Sequence, residues 1–351
     1  MKVILIALLV VVLIVGGYLS YAYIVFERLP DNLELDIATN NENIAKPGVE
    51  YKIACYNVGY GSNCKDFSFF MDGGIETLAF SKDSVIESIN GTIDNIKRIN
   101  PDIILLQEVD VDARRSYHVD ERNMYYDAFS TFNSAYAQNY DSFFLFYPVT
   151  DPIGSSVSGM ITLSNLLLKE GTRKSLPIDA GFNKFFDLDR CISITRTPVE
   201  NGKELVIINA HLSAYSKEEG VTDSQLNILK EIMEKEYSDG NYVILGGDLN
   251  HDLLEKDTSV ISERTWTYPY DRNMIAKGCD FAIDLLAEDV VSKMPKTCRD
   301  TNIPYDAAES YTVTADGFII SDNIEMKNYE VIPTDFEYSD HEMVLLTFML
   351  N

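Results

Sequence analysis

What this chain can fold into is limited first by its opening thirty residues. From Val3 to Phe26 the sequence is almost continuously apolar, VILIALLVVVLIVGGYLSYAYIVF. A helix of these 24 residues spans about 36 Å, enough to cross a hydrocarbon core of about 30 Å. A cleavable signal peptide has a shorter apolar region and a small-residue cleavage site. Here Gly16–Gly17 run into Tyr18–Leu19, a poor match. The segment therefore reads as an uncleaved, single-pass anchor over residues 1–27, with a cleaved signal and a buried core helix as the competing readings. Lys2 and the amino terminus precede the span, whereas Glu27 and Arg28 follow it and cancel. The positive-inside bias then puts the amino terminus in the cytoplasm and the rest of the chain outside it. Tyr18, Tyr21 and Tyr23 sit toward the far end, as an interfacial aromatic belt does.

Residues 28–50 are polar and rich in turn formers and read as a linker. No break in composition divides residues 51–351, which read as one domain. The chain carries 55 acidic and 29 basic residues, a net charge of −26. Nucleic-acid binders neutralise phosphates with stripes of Lys and Arg. No such stripe exists here; the densest pair is Arg114–Arg115. The composition thus disfavours a nucleic-acid partner. Five cysteines without a CxxC pair read neither as a zinc site nor as a disulfide framework, although Cys279 and Cys298 are a conceivable pair.

Strand-like runs recur through the domain: YKIACYN, DIILL, SFFLFY, GMITLSN, CISITRT, ELVIINAHL, NYVILGG, YTVTADGFIIS and EMVLLTFML. Between them the spacing predicts a helix over 84–99, with Ser84 and Glu87 as a capping box and Val85, Ile86, Ile89, Ile93 and Ile96 on one face. Further helices are expected within 121–140 and over 223–237. Many strands interrupted irregularly by helices fit an α/β (α+β) sandwich, two sheets face to face with helices outside.

The chemistry-bearing residues stand at strand ends. Asn57 closes YKIACYN, Gln107–Glu108 close DIILL, and Asn209 and His211 close ELVIINAHL. Asp248 and Asn250 follow YVILGG, Asp316 lies in YTVTADGFII, and Asp340–His341 precede the last strand. Residues i and i+2 of a strand share a face, so Asp248 and Asn250 converge if the strand runs that far. Gly246 and Gly247 permit close approach of a ligand or another backbone. His251 follows directly, and the aromatic stretch around Trp266 reads either as packing or as the wall of a cleft.

The motifs YNVG (56–59), QEVD (107–110), NAHLS (209–213), GGDLN (246–250), DGFI (316–319) and SDH (339–341), in this order, resemble the endonuclease/exonuclease/phosphatase superfamily across essentially residues 51–350. The resemblance implies a four-layer sandwich of two packed mixed sheets flanked by helices. It also implies a Mg²⁺-dependent hydrolase of phosphate esters, with Mn²⁺ as a substitute. Glu108, Asn57 and Asp340 would serve the metal. Asp248 and Asn250 would hold the attacking water, with Asp248 as its proton acceptor; His211 would stabilise charge on the phosphoryl group, and His341 would contact a phosphate oxygen or act in proton transfer. Asp316 would orient His341. Arg299 and Arg190 are candidates to reach a substrate phosphate. DGF at 316–318 departs from the commoner Asp-Tyr or Asp-His step, so no polar neighbour supports Asp316. Three readings stay open at this point: a phosphodiesterase or phosphatase acting on a small molecule or lipid headgroup, an extracellular nuclease, and a silent binding protein of the same fold.

Overall fold

Two strands carry the most telling burial. Tyr242–Asp248 is buried at every position and Glu204–His211 at all but the first, the pattern of parallel neighbours covered on both faces. The computed structural model of the protein, which describes residues 1–185, 187–214, 220–258 and 267–351, pairs these two strands in parallel. Among the described residues, fourteen strands form two seven-stranded sheets. In chain order they are β1 (Leu33–Glu34), β2 (Ile37–Ala38), β3 (Glu50–Asn57), β4 (Ile103–Ala113), β5 (Asn133–Leu145), β6 (Gly154–Ser164) and β7 (Glu170–Ser175). The rest are β8 (Cys191–Pro198), β9 (Glu204–His211), β10 (Tyr242–Asp248), β11 (Cys279–Phe281), β12 (Asp316–Ser321), β13 (Ile324–Ile332) and β14 (Met343–Leu350). One sheet runs β1-β7-β8-β9-β10-β12-β11 and the other β13-β14-β3-β4-β6-β5-β2.

Each sheet holds one parallel pair joined by a helix: β3 and β4 through α2 (Lys82–Ile99), β9 and β10 through α4 (Val221–Ser238). Period-two alternation sends Ile53 and Cys55 of β3 inward between the sheets and Ala54 and Tyr56 outward onto α2. The short helix α3 (Glu121–Ala128) joins α2 on that outer face, and Leu226, Leu229 and Met233 of α4 cover the other sheet. The layers are helix, sheet, sheet, helix, as the sequence predicts.

Several local expectations are corrected. The α2 cap is Ser81, three residues earlier than expected, and the capping box is Ser81 with Ser84 rather than Ser84 with Glu87. Residues 121–140 are not one helix: α3 stops at Ala128 and β5 begins at Asn133. All five cysteines are free, and Cys279 and Cys298 do not pair. Residues 28–50, expected as a linker, lay β1 on an edge of one sheet and β2 on an edge of the other. Trp266 lies outside the described residues. The apolar opening forms α1 (Lys2–Val25), exposed along its length except for a few residues near its end, with a mean hydropathy of 2.9.

Candidate active site

Register builds the site. Asp248, the last residue of β10, pairs with His211 of β9 on one side and with Asp316 of β12 on the other. Directly paired residues share a face, so one row across three strands presents these side chains together. The facing sheet supplies Asn57 at the end of β3, Glu108 within β4, and His341 just before β14. The cluster lies where the ends of the two sheets meet.

Glu108 reaches the site through an irregularity. The β4–β6 register shifts between Leu106 and Val109, and Glu108 takes φ +57°. A bulge re-aims its side chain, and the left-handed backbone of a non-glycine residue stores about 1–3 kcal/mol. Asn250 also has a positive φ, +51°. It therefore joins Asp248 by a tight turn and not by strand periodicity, because β10 ends at Asp248. Its backbone N–H donates to Asp248 Oδ1 (2.9 Å), and its amide donates to the Leu212 carbonyl (2.8 Å). Gly246 and Gly247 make room for protein, not ligand. A Cβ at 247 would stand 2.0 Å from the Ala210 carbonyl oxygen, and one at 246 would enter the Phe318 ring.

Asp248 is the hub. Asn57 Nδ2 donates to its Oδ2 at 2.9 Å. His211 Nε2 lies 3.5 Å and His341 Nε2 3.7 Å from the same oxygen. His211 Nε2 is also 3.6 Å from Glu108 Oε1, and His341 Nδ1 meets Asp316 Oδ2 at 2.8 Å. Thr297 Oγ1 accepts the Asp316 N–H (3.0 Å), fixing that carboxylate's backbone.

Electrostatics separates the two histidines. Burial pushes His211 down to about 3, and the nearby Arg190 pushes the same way, so its imidazole is neutral. Burial also opposes a charge on His341, but Asp316 and Asp248 outweigh it and hold the pKa well above the ordinary value. Burial would raise Asp248 too; the two histidines, Asn57 and the Asn250 N–H outweigh it and keep the carboxylate ionised. Glu108 is pushed up to about 8 by burial and by Asp340 beside it.

Glu108, His211 and Asp248 bring ligand atoms within 4.8 Å of one another, as do Asp248, Asp316 and His341. Among the described residues neither Glu108 nor Asp340 forms an ion pair with Lys or Arg. Two acidic side chains without a Lys or Arg partner, with an amide alongside, are a donor set suited to a hard divalent cation. The amide oxygen of Asn57 accepts the Gly59 N–H (3.1 Å), and Asn63 Nδ2 donates to Asp340 (3.1 Å).

The other candidate residues divide between the neighbourhood of the site and the protein's own packing. Arg299 is 1 % exposed and donates to the carbonyls of Asp300, Ile303, Cys64 and Phe67, so it is a loop clamp and not a substrate ligand. Arg190 is buried near His211; its Nε and Nη1 have no hydrogen-bond partner among the described residues. Asn209 points between the sheets, accepting from Gln107 (2.7 Å) and donating to the Leu106 and Ile161 carbonyls. Asp110 is held by a buried two-pronged pair with Arg115. His251 Nδ1–H donates to the Leu249 carbonyl, and the ring packs on Tyr270. Sequence reasoning missed Asn63 and Cys298, whose thiol lies 3.4 Å from His341 Nε2; neither stands at the end of an apolar run.

Residues 56–284 match the model of the Endonuclease/Exonuclease/phosphatase family. Comparison with curated proteins gives no match. Among solved structures, the endonuclease/exonuclease/phosphatase from Beutenbergia cavernae DSM 12333 is similar at TM-score 0.58 and 14 % identity, over 86 % of this chain and 72 % of that one. The human Nocturnin catalytic domain with bound sulfate is similar at TM-score 0.54 and 16 % identity, over 90 % and 98 %. TDP2 from D. rerio, complexed with single-strand DNA product, is similar at TM-score 0.53 and 14 % identity, over 85 % and 98 %. At these identities the likeness is one of fold.

Proposed function

The chain belongs to the endonuclease/exonuclease/phosphatase family, and from that premise we propose that it is a metal-dependent hydrolase of phosphate esters, anchored in a membrane through residues 1–27. The observation that carries this reading is the buried Asp248 carboxylate, whose Oδ2 lies 3.5 Å from His211 Nε2 and 3.7 Å from His341 Nε2, with burial favouring a neutral His211 and the facing carboxylates a charged His341. That polarity suits attack of water on phosphorus, which needs a proton acceptor on one side and positive charge on the other.

Glu108 would hold the metal, with Asn57 and Asp340 at its rim. Bound Mg²⁺, or Mn²⁺ in its place, supplies Lewis-acid polarisation of a phosphoryl oxygen. Asp248 and Asn250 orient the attacking water, and Asp248 takes its proton. Neutral His211, with its proton on Nε2, donates to a phosphoryl oxygen. His341 points Nε2 at the same region while Nδ1–H donates to Asp316, which fixes ring orientation and favours the imidazolium. Arg190, buried with unused donors, supports an anionic substrate nearby.

A small-molecule or lipid-headgroup ester is the substrate class that fits a net charge of −26 and an apolar amino-terminal helix. The test is the full chain in detergent with Mg²⁺, Mn²⁺ or EDTA, assayed on sphingomyelin, a bis-aryl phosphodiester, a phosphomonoester and plasmid DNA. Headgroup release abolished by EDTA and by His341→Ala supports the reading. DNA nicking with the same dependence makes the protein a nuclease instead, and no hydrolysis of any ester leaves a binding protein.

A further inference from the structure

The tip of the β5–β6 hairpin is an exposed apolar surface outside α1. Residues 143–149 read FFLFYPV, without a charge, and Tyr147 and Val149 are 67 % and 74 % exposed. The tip touches α1. Tyr18 packs edge-on against Phe146 with ring centroids 4.5 Å apart, and its hydroxyl donates to the Phe144 carbonyl at 3.1 Å. Ile14, Val15, Tyr18 and Tyr21 line with Phe144 and Phe146 a half-open groove of about 360 Å³. From Ile14 to Val25 a helix rises about 16 Å. If α1 spans a bilayer, residues that contact Ile14 to Tyr21 cannot stay in bulk water.

The 70–80 loop extends the surface. Met71 and Ile75 are 64 % and 82 % exposed, Phe70 packs on Tyr147 with centroids 6.0 Å apart, and Thr77 donates to Asp151 (2.8 Å). Register places all of this at the active-site end. Ala113 pairs with Ser156 and Ser142 with Ser156, so the hairpin projects past Glu108. On the other sheet Ser175 pairs with Cys191, whose neighbour Arg190 borders His211, and Ser175 N–H donates to Asp31. The chain therefore leaves α1 and enters the domain at that same end.

We propose that the hairpin tip, with the 70–80 loop, is a second membrane contact: it sinks into the bilayer interface beside α1 and holds the mouth of the site against the lipid headgroups. The proposal rests on the anchor reading. Uncharged aromatic and aliphatic side chains suit the interface, where amphipathic rings settle. A domain held at the bilayer by α1 alone can tilt about that one attachment, whereas a second contact fixes which face meets the lipid and makes headgroup capture effectively intramolecular.

The full chain in phosphatidylcholine nanodiscs, with the sole tryptophan replaced (Trp266→Phe), would carry either Tyr147→Trp or Glu200→Trp. Glu200 is exposed in the turn between β8 and β9, at the opposite end of its sheet. Lipids brominated on the acyl chains should quench and blue-shift the probe at 147 and leave that at 200 unchanged. Equal, unquenched probes in chain that stays with the discs after alkaline carbonate would overturn the second contact while sparing the anchor. Chain lost from the discs in carbonate would sink the anchor and the proposal together. Quenching needs no activity, so it is independent of the hydrolase reading. As a second readout, Tyr147→Ser with Val149→Ser should slow hydrolysis of vesicle lipid on the order of tenfold and leave that of a soluble aryl phosphodiester unchanged. Equal slowing of both substrates would count against an orienting role.

Discussion

At the scale of single residues, the site is an arrangement of charge states more than of charges. Asp248 stays ionised because His341, His211 and two N–H groups face it. Asp248→Asn keeps the shape and removes the proposed proton acceptor; turnover should fall by about 10²–10⁴-fold in protein whose circular dichroism matches the parent's. In the proposed reaction Asp316 acts through His341, which it meets at 2.8 Å. Its charge raises the pKa of that imidazole, so Asp316→Asn lowers it, and the alkaline limb of the pH–rate profile should move to lower pH. An unmoved limb would mean that His341 does not act as imidazolium. These residues were legible in the sequence because each borders an apolar run: Asp248 and His211 end one, Asp316 lies within one and His341 precedes one. Arg299 was misread because a buried arginine serving four carbonyls looks, in one dimension, like any arginine beside a motif.

Among the elements, legibility followed periodicity. The stripe Val85, Ile89, Ile93, Ile96 is buried on α2 as the 3.6-residue spacing requires. The Ser81 side chain accepts the Ser84 N–H (3.0 Å), and Ser81→Ala should cost about 1 kcal/mol in chemical denaturation. Residues 121–140 carried no comparable period, and Asn133–Leu145 became strand because β6 and β2 flank it with backbone partners. Helix α4 is tied to its sheet by Glu236, which accepts from Arg196 of β8 (3.0 Å to Oε2) and Asn241 (2.9 Å). Burial raises this carboxyl's pKa, but those donors outweigh it and hold it below the ordinary value. A depressed folded pKa contributes stability above the unfolded value of about 4.3 that is lost as pH falls through the folded one. Glu236→Gln should therefore destabilise at pH 7, by about 1.5–3 kcal/mol, and the gap from the parent should narrow below pH 4.

For the whole molecule, the acidic side chains of Glu108 and Asp340 at the sheet ends set a prediction that needs no substrate. If Glu108 and Asp340 hold a divalent cation in the folded state alone, Mg²⁺ should raise stability by about 2.7 kcal/mol at a hundred times its Kd. EDTA should reverse the gain, and Glu108→Gln should abolish the Mg²⁺ dependence of Tm. An equal Mg²⁺ response in that variant would move the cation elsewhere. The sequence by itself determined that α1 is long and apolar enough to cross a membrane, that two sheets pack face to face, and which strand ends carry polar groups. Those are properties of composition and local period. Only the tertiary structure decided that Asp248 sits between His211 and Asp316, that a bulge turns Glu108 toward them, and that residues 28–50 lie on both sheet edges. It alone also brought the hairpin tip, the end of α1 and the site to one end of the sandwich. The physical reason is that strand register and crossover connections are non-local: they join residues as far apart in the chain as Glu50 and Met349, and no window along the chain contains both partners.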